Sequence, residues 1–312
     1  MLAPLGEPVI IRPPQHRLTV TTFDDFLRLI ERSDLSEGKG VTLDLRGLAF
    51  IDLFAMVGLV YLCIDLENRG CVVTLAVHNA GAGGFLERAG FFHILPAAIT
   101  ERCDVRPAHL QFVSGYFGRN PEILELTRID SENTLAIILK NLIAALRHRL
   151  KYSRREASHI GIMLSELAHN ILEHHDDAAN AGGIIAMQIY KDGADRFMEL
   201  VVADHGDGIR RTLSRNDRYA YLSSDIEAIL LSTDGRVSRY NDFTHGHGLP
   251  LLLRLAQQHG GTVHIRSGEG KVYYRMDRVA CRQFIVPALT GTQFSIALPT
   301  KATVKPMQEL DK

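Results

Sequence analysis

The stretch SELAHNILEHHDD, residues 165–177, gathers four carboxylates, one amide and three histidines into a little over three helical turns. On a helix Glu166, Asn170 and His174 follow one another at i+4 and project from one face. Ile162, Met163, Leu167 and Ile171 are available to face a core, so the polar stripe is expected to face solvent or a cleft. A transition-metal reading would draw on His169, His174, His175 and Asp176, and on the histidines of HGH at 245–247. The His-Glu-x-x-His spacing of zinc-protease helices is absent, however. His169 also diverges from His174 and His175 by roughly a third of a turn or more, so the imidazoles are not expected to converge.

Two later stretches suggest another chemistry. In VVADHGDGI, Asp204 closes an apolar strand and is followed by Gly206 and Gly208. A carboxylate at a strand end can accept a hydrogen bond from an exocyclic amine such as that of adenine. The glycines would let the backbone approach a flat ring, although Asp-x-Gly-x-Gly is also an ordinary turn. In THGHGLPLLLRLAQQHGG, Gly246 and Gly248 lead into an apolar helix whose N-terminal amides and dipole favour an anion such as phosphate. A plain loop entering a helix, with Pro250 at a tolerated early position, gives the same pattern.

The elements that must hold these residues fall into two halves. In the first hundred residues, VTLDLRG (41–47) and CVVTLAV (71–77) read as buried strands. Between them FAMVGLVYLCIDLENRG (54–70) has helical spacing, Asp52 as N-cap and Gly70 as terminator. Strand, helix, strand predicts a parallel pair with a crossover. Residues 101–127, broken by Pro107, Gly115, Gly118 and Pro121, read as a linker, with a possible strand in LQFVSGYF. Beyond it come two long apolar-periodic helices, 131–151 and 155–175, and a hairpin turning at KDGAD. The fold class expected is α/β for the first half and α+β for the second.

The chain as a whole narrows the classes. Its 312 residues suit about two domains, and 46% hydrophobic with 23% charged residues is ordinary for a folded protein. A formal net charge of -1 gives no reason to expect direct nucleic-acid binding or an anionic membrane surface. The N-terminus lacks a cationic start with an apolar core, and no run reaches the roughly eighteen apolar residues of a membrane span, so a cytoplasmic location is expected. Cys63, Cys71, Cys103 and Cys281 show no CxxC spacing and are expected to be reduced thiols.

Taken in order, Glu-x-x-x-Asn, Asp-x-Gly-x-Gly, Gly-x-Gly-Leu and the late strand GTQFSIALP resemble the GHKL superfamily of ATP-binding domains over residues 128–300. The resemblance implies a Bergerat-type α/β sandwich with a mixed sheet, binding ATP and Mg2+. It implies Asn170 as the magnesium ligand and Glu166 as general base; His174, one turn further along the same face, is expected near the phosphates or buttressing the asparagine. Asp204 and Thr292 would read the adenine, and Gly206, Gly208, Gly246 and Gly248 would shape the pocket. Residues 209–245 would be the lid, with Arg236 or Arg239 reaching the phosphates. Where the family has a further glycine, this chain has Pro250, which removes a backbone donor.

Residues 1–100 resemble the STAS domain of anti-sigma factor antagonists, on the strand, Phe-Ile-Asp, the helix, the next strand and the closing FLERAGF. The hydroxyl that this family phosphorylates after the aspartate is missing, because the sequence reads Asp52-Leu53-Phe54-Ala55. Leu53 and Phe54 either form a docking surface, for example toward the second half of the same chain, or fill the core. Together the two resemblances imply a bacterial partner-switching protein of the anti-sigma serine kinase type. Its partners would be proteins: a STAS-type antagonist, a sigma factor or another regulator, with pairing of two copies also open. A non-catalytic nucleotide-dependent switch and a slow ATPase are the alternatives. Residues 268–289, longer than the family needs, and the tail 301–312 carry no assignment.

Overall fold

The computed structural model describes residues 7–78, 82–104, 123–148, 150–173, 183–192, 195–234, 237, 248–275 and 280–299. The first half runs β1 (Val9–Ile11), β2 (Arg17–Leu18), α1 (Phe23–Arg32), β3 (Gly40–Asp44), β4 (Phe50–Ile51), α2 (Leu53–Asn68) and β5 (Val72–Ala76). The short helices α3 (Ala82–Arg88), α4 (Phe91–Ile94) and α5 (Ala97–Glu101) follow. Strands β1, β3 and β5 form a parallel sheet in that order, and β2 pairs with β4. The strand–helix–strand expectation thus corresponds to β3, α2 and β5. The Asp52 carboxylate caps α2 by accepting the Ala55 N–H at 2.8 Å, and Gly70, at φ +81°, ends it in a conformation open mainly to glycine.

The second half runs β6 (Ile123–Ile129), α6 (Glu132–His148), α7 (Arg154–Glu173), β7 (Gly183–Asp192), β8 (Asp195–Asp204), α8 (Gly208–Ser214), α9 (Asp225–Thr233), α10 (Gly248–Gln258), β9 (Thr262–Arg275) and β10 (Arg282–Pro299). Its five-stranded sheet has the order β6-β7-β8-β10-β9. All its described pairings are antiparallel, which corrects the expected mixed sheet. The reason lies in the connections. Helices α6 and α7 lie antiparallel, as the contact of His169 near the end of α7 with Glu132 at the start of α6 requires. Two such helices bring the chain back to enter β7 against the direction of β6. Strand β6 also crosses the end of the 101–127 segment. The possible strand at LQFVSGYF and the tail 301–312 lie outside the described residues.

Alternation along the strands gives this sheet two buried faces. Ile185, Met187, Leu200, Val202, Phe294 and Ile296 pack with residues of α6, α7 and α10, among them Leu142, Leu167 and Leu252. Ile184, Ala186, Val201 and Ala203 point the other way and join the core of the first half. Helix α2 fills the space between the two sheets, so every residue from Leu53 to Leu66 is buried. Leu53 and Phe54 are both 0% exposed, and the Phe54 carbonyl accepts a bond from Gln293 Nε2 at 2.6 Å. Core filling and docking are therefore the same act: the two halves share α2.

Residues 268–289 lie mostly within the long β9–β10 hairpin. On one side, buried Asp24 of α1 takes Arg266 Nη1 and, at 2.5 Å, Lys271 Nζ. On the other, Asp225 at the start of α9 accepts the Glu269 N–H at 2.9 Å. Gly268 and Gly270 leave room there: a Cβ on Gly268 would lie 2.4 Å from Asp225 Oδ2. The hairpin thus ties the first half to the helix that precedes the proposed lid arginines.

Candidate nucleotide site

The site is built at one end of the sheet. Asp204, the last residue of β8, sits opposite Thr292 of β10, and Thr292 sits opposite Ser267 of β9. The register of β10 against β9 shifts on both sides of Leu289, a bulge of the kind that re-aims side chains near sites. Gly291, at φ +89°, makes the bulge possible, since a Cβ there would lie 2.0 Å from the Asp204 carbonyl oxygen. Asp204 Oδ1 accepts the Gly206 N–H at 2.8 Å. Burial pushes the Asp204 carboxyl up to about 6, although the Gly206 and Thr292 amides favour its ionised form. Thr292 is 7% exposed, with its hydroxyl 3.4 Å from that of Ser267.

Gly206 and Gly208 keep the floor next to Asp204 open. A Cβ on Gly206 would come within 3.0 Å of Asp204 Oδ1, and one on Gly208, at φ +80°, within 2.8 Å of Ser267 Oγ. Ser267 Oγ also accepts the Ile209 N–H at 2.8 Å, fixing the start of α8. Sequence reading missed Ser267, because its place depends on the pairing of β9 with β10 and no local signal marks it.

Helix α7 supplies the wall. Glu166 and Asn170 are exposed on one stripe, and Ile162 lies on that stripe too, 53% exposed, rather than in the core as expected. Met163, Leu167 and Ile171 are buried as expected. Gly248, the first residue of α10, packs directly on this stripe: a Cβ would meet Glu166 Cβ at 3.3 Å and Asn170 Nδ2 at 3.7 Å. The same helix reaches the floor through Ile171, which a Cβ on Gly183 would touch at 2.4 Å, and that Cβ would lie 3.3 Å from the Ala203 carbonyl next to Asp204.

Glu166, Asn170 and Gly248 thus form one group and Asp204, Gly206, Gly208 and Thr292 a second, joined through Ile171, Gly183 and Ala203. His174, Gly246, Arg236 and Arg239 lie outside the described residues. His169 is engaged elsewhere, with Nδ1 2.6 Å from the Ser165 carbonyl and Nε2 3.2 Å from Glu132. Among the described residues no three His, Cys, Asp or Glu side chains converge as metal ligands.

The arrangement of a buried strand-end carboxylate, a glycine-lined floor and a helix N-terminus has a counterpart among known families. Residues 155–302 match the family model of histidine kinase-, DNA gyrase B- and HSP90-like ATPases. No curated protein matches the chain. The match covers nearly all of α7 and runs through β10, and ATP is the ligand that a domain of this kind implies. The described residues fit that ligand. A glycine cradle that Cβ atoms would fill adjoins a carboxylate suited to an amine donor. Asn170 offers a side-chain oxygen of the kind Mg2+ takes, completing its shell with phosphates and water. Among the described residues no helix is long and apolar enough to cross a membrane.

Proposed function

We propose that this chain is a bacterial signalling regulator in which the ATPase domain binds Mg·ATP and transfers phosphate to a serine or threonine of another protein. The observation carrying this reading is that Glu166 and Asn170 stand together on one open stripe against Gly248, the first residue of α10. Asn170 would hold Mg2+, Asp204 and Thr292 the base, and Glu166 would take the proton from the acceptor hydroxyl. Mg2+ would neutralise charge on the transferring phosphoryl group. The first half is read as STAS-like. Its α2 surface is used up within the chain, so a free partner could not dock there, and the acceptor is expected on a separate protein such as a STAS-type antagonist.

A second reading, a nucleotide-dependent protein-binding switch without transfer, is favoured by the β9–β10 hairpin. That hairpin links α9 and the first half, a route by which lid ordering could reach a binding face.

The test uses the full chain. Mg·ATP is expected to raise the melting temperature, and Asn170→Ala to abolish that rise. Incubation with labelled ATP and a candidate STAS partner should label the partner in the wild type and not in Glu166→Ala, which still binds ATP. Binding without labelling supports the switch, release of free phosphate supports a slow ATPase, and no binding at all removes the nucleotide reading.

A further inference from the structure

We propose that Asp65, on α2 of the first half, is a positioning residue for the base end of the nucleotide site, so that ATP recognition is completed from outside the ATPase domain. This rests on the nucleotide reading above. Asp65 Oδ1 lies 2.6 Å from His205 Nε2, and Asp65 Oδ2 accepts the Thr290 N–H at 3.2 Å. One carboxylate therefore bridges the two segments that carry Asp204 and Thr292, touching the residue just after the first and the residue two before the second. Four residues earlier on the same helix face, Tyr61 donates its hydroxyl to the Ala203 carbonyl at 3.0 Å. Its ring lies 5.3 Å from that of His205. Both neighbours of Asp204 in sequence are thereby held by α2, and Gln293, next to Thr292, bonds the Phe54 carbonyl of the same helix.

The Asp65 and His205 side chains are each 7% exposed, so water competes little for the contact. Burial pushes the Asp65 carboxyl up, but the bonds from His205 and Thr290 outweigh it and hold the group below its ordinary value, an ionised acceptor. The Gly291 bulge lies between the two points Asp65 grips. Release of Asp65 would free Thr290 and His205 to move, and with them the spacing of Asp204 and Thr292 on which discrimination of one base from another depends.

A merely structural role predicts a different result, and a control exists at the same interface. Glu199, on β8, accepts the backbone N–H of Leu53 at the other end of α2 and a bond from Ser295 Oγ at 3.0 Å, away from the bulge. Dissociation constants for Mg·ATP and Mg·GTP would be measured on the full-length wild type, Asp65→Asn, His205→Gln and Glu199→Gln. Asp65→Asn is expected to weaken ATP binding about tenfold, the scale of one charge-assisted bond, and to shrink the ATP-over-GTP preference. His205→Gln should do the same, the double variant should lose little more, and Glu199→Gln should leave both constants unchanged. Should Asp65→Asn fail to fold, Tyr61→Phe, which removes one hydroxyl, should still lower the ATP-over-GTP ratio. A wild type that binds ATP, alongside an Asp65→Asn or Tyr61→Phe protein with unchanged affinity and ratio, overturns the proposal alone. A wild type that binds neither nucleotide overturns the nucleotide reading and the proposal together.

Discussion

In the proposed role Asp204 would have to be ionised to accept an adenine amine at full strength, and its surroundings make that ionisation costly. Burial raises its pKa from the ordinary 3.8 to about 6. The shift is opposite to that of the usual salt-bridged aspartate, so the carboxylate is already lost as pH falls through about 6 rather than well below 3.8. Mg·ATP affinity in the wild type should therefore hold between pH 8 and 7 and fall by about tenfold by pH 5, where roughly a tenth of the group is ionised. Calorimetric titrations across this range, with Asp204→Asn giving a weak and flatter profile, check the role; a wild-type affinity constant down to pH 5 would contradict it. At this scale the chain was readable where spacing is local. Glu166 and Asn170 share a face because four residues make about one helical turn. Ser267 was unreadable, since its hydroxyl meets Thr292 only through the pairing of two strands.

The β10 bulge shows what a single element contributes. Gly291 sits at φ +89°, and a Cβ would collide with the Asp204 backbone. Gly291→Ala should lower stability by about 2 kcal/mol or more and weaken the rise in melting temperature with Mg·ATP, measured by thermal denaturation with and without nucleotide. The element types were largely legible, because α7, β7 and β8 announce themselves by periods of 3.6 and 2. Ile162 falls on the open face rather than in the core, because an apolar residue carries no mark of which helix face it occupies. The antiparallel sense of the second sheet follows from the return of α6 and α7, a tertiary fact. The order β8-β10-β9, in which β10 inserts between β8 and β9, has no local signature at all.

For the whole molecule, the interface between the halves rests on a charge cluster as well as on α2. Asp24 sits between Arg266 and Lys271, and all three are buried. Asp24→Ala would leave two buried cations without their carboxylate, and a loss of about 3–5 kcal/mol is expected in urea denaturation. The strand–helix–strand run of the first half and the helix–helix–hairpin run of the second were legible from pattern, but the packing of one against the other was not. Along β8, Glu199, Val201 and Ala203 alternate with Met198, Leu200 and Val202, and such a mixed second face suits either water or a cover.

Sharing α2 also has a consequence for synthesis. The helix is apolar on nearly every side, and its partner Ala203 lies 142 residues later in the chain than Tyr61. At about 5–20 residues per second, α2 leaves the ribosome on the order of ten seconds before β8 exists to cover it. During that interval the nascent first half carries an open apolar flank, a ready substrate for a holding chaperone until the last strand closes over it.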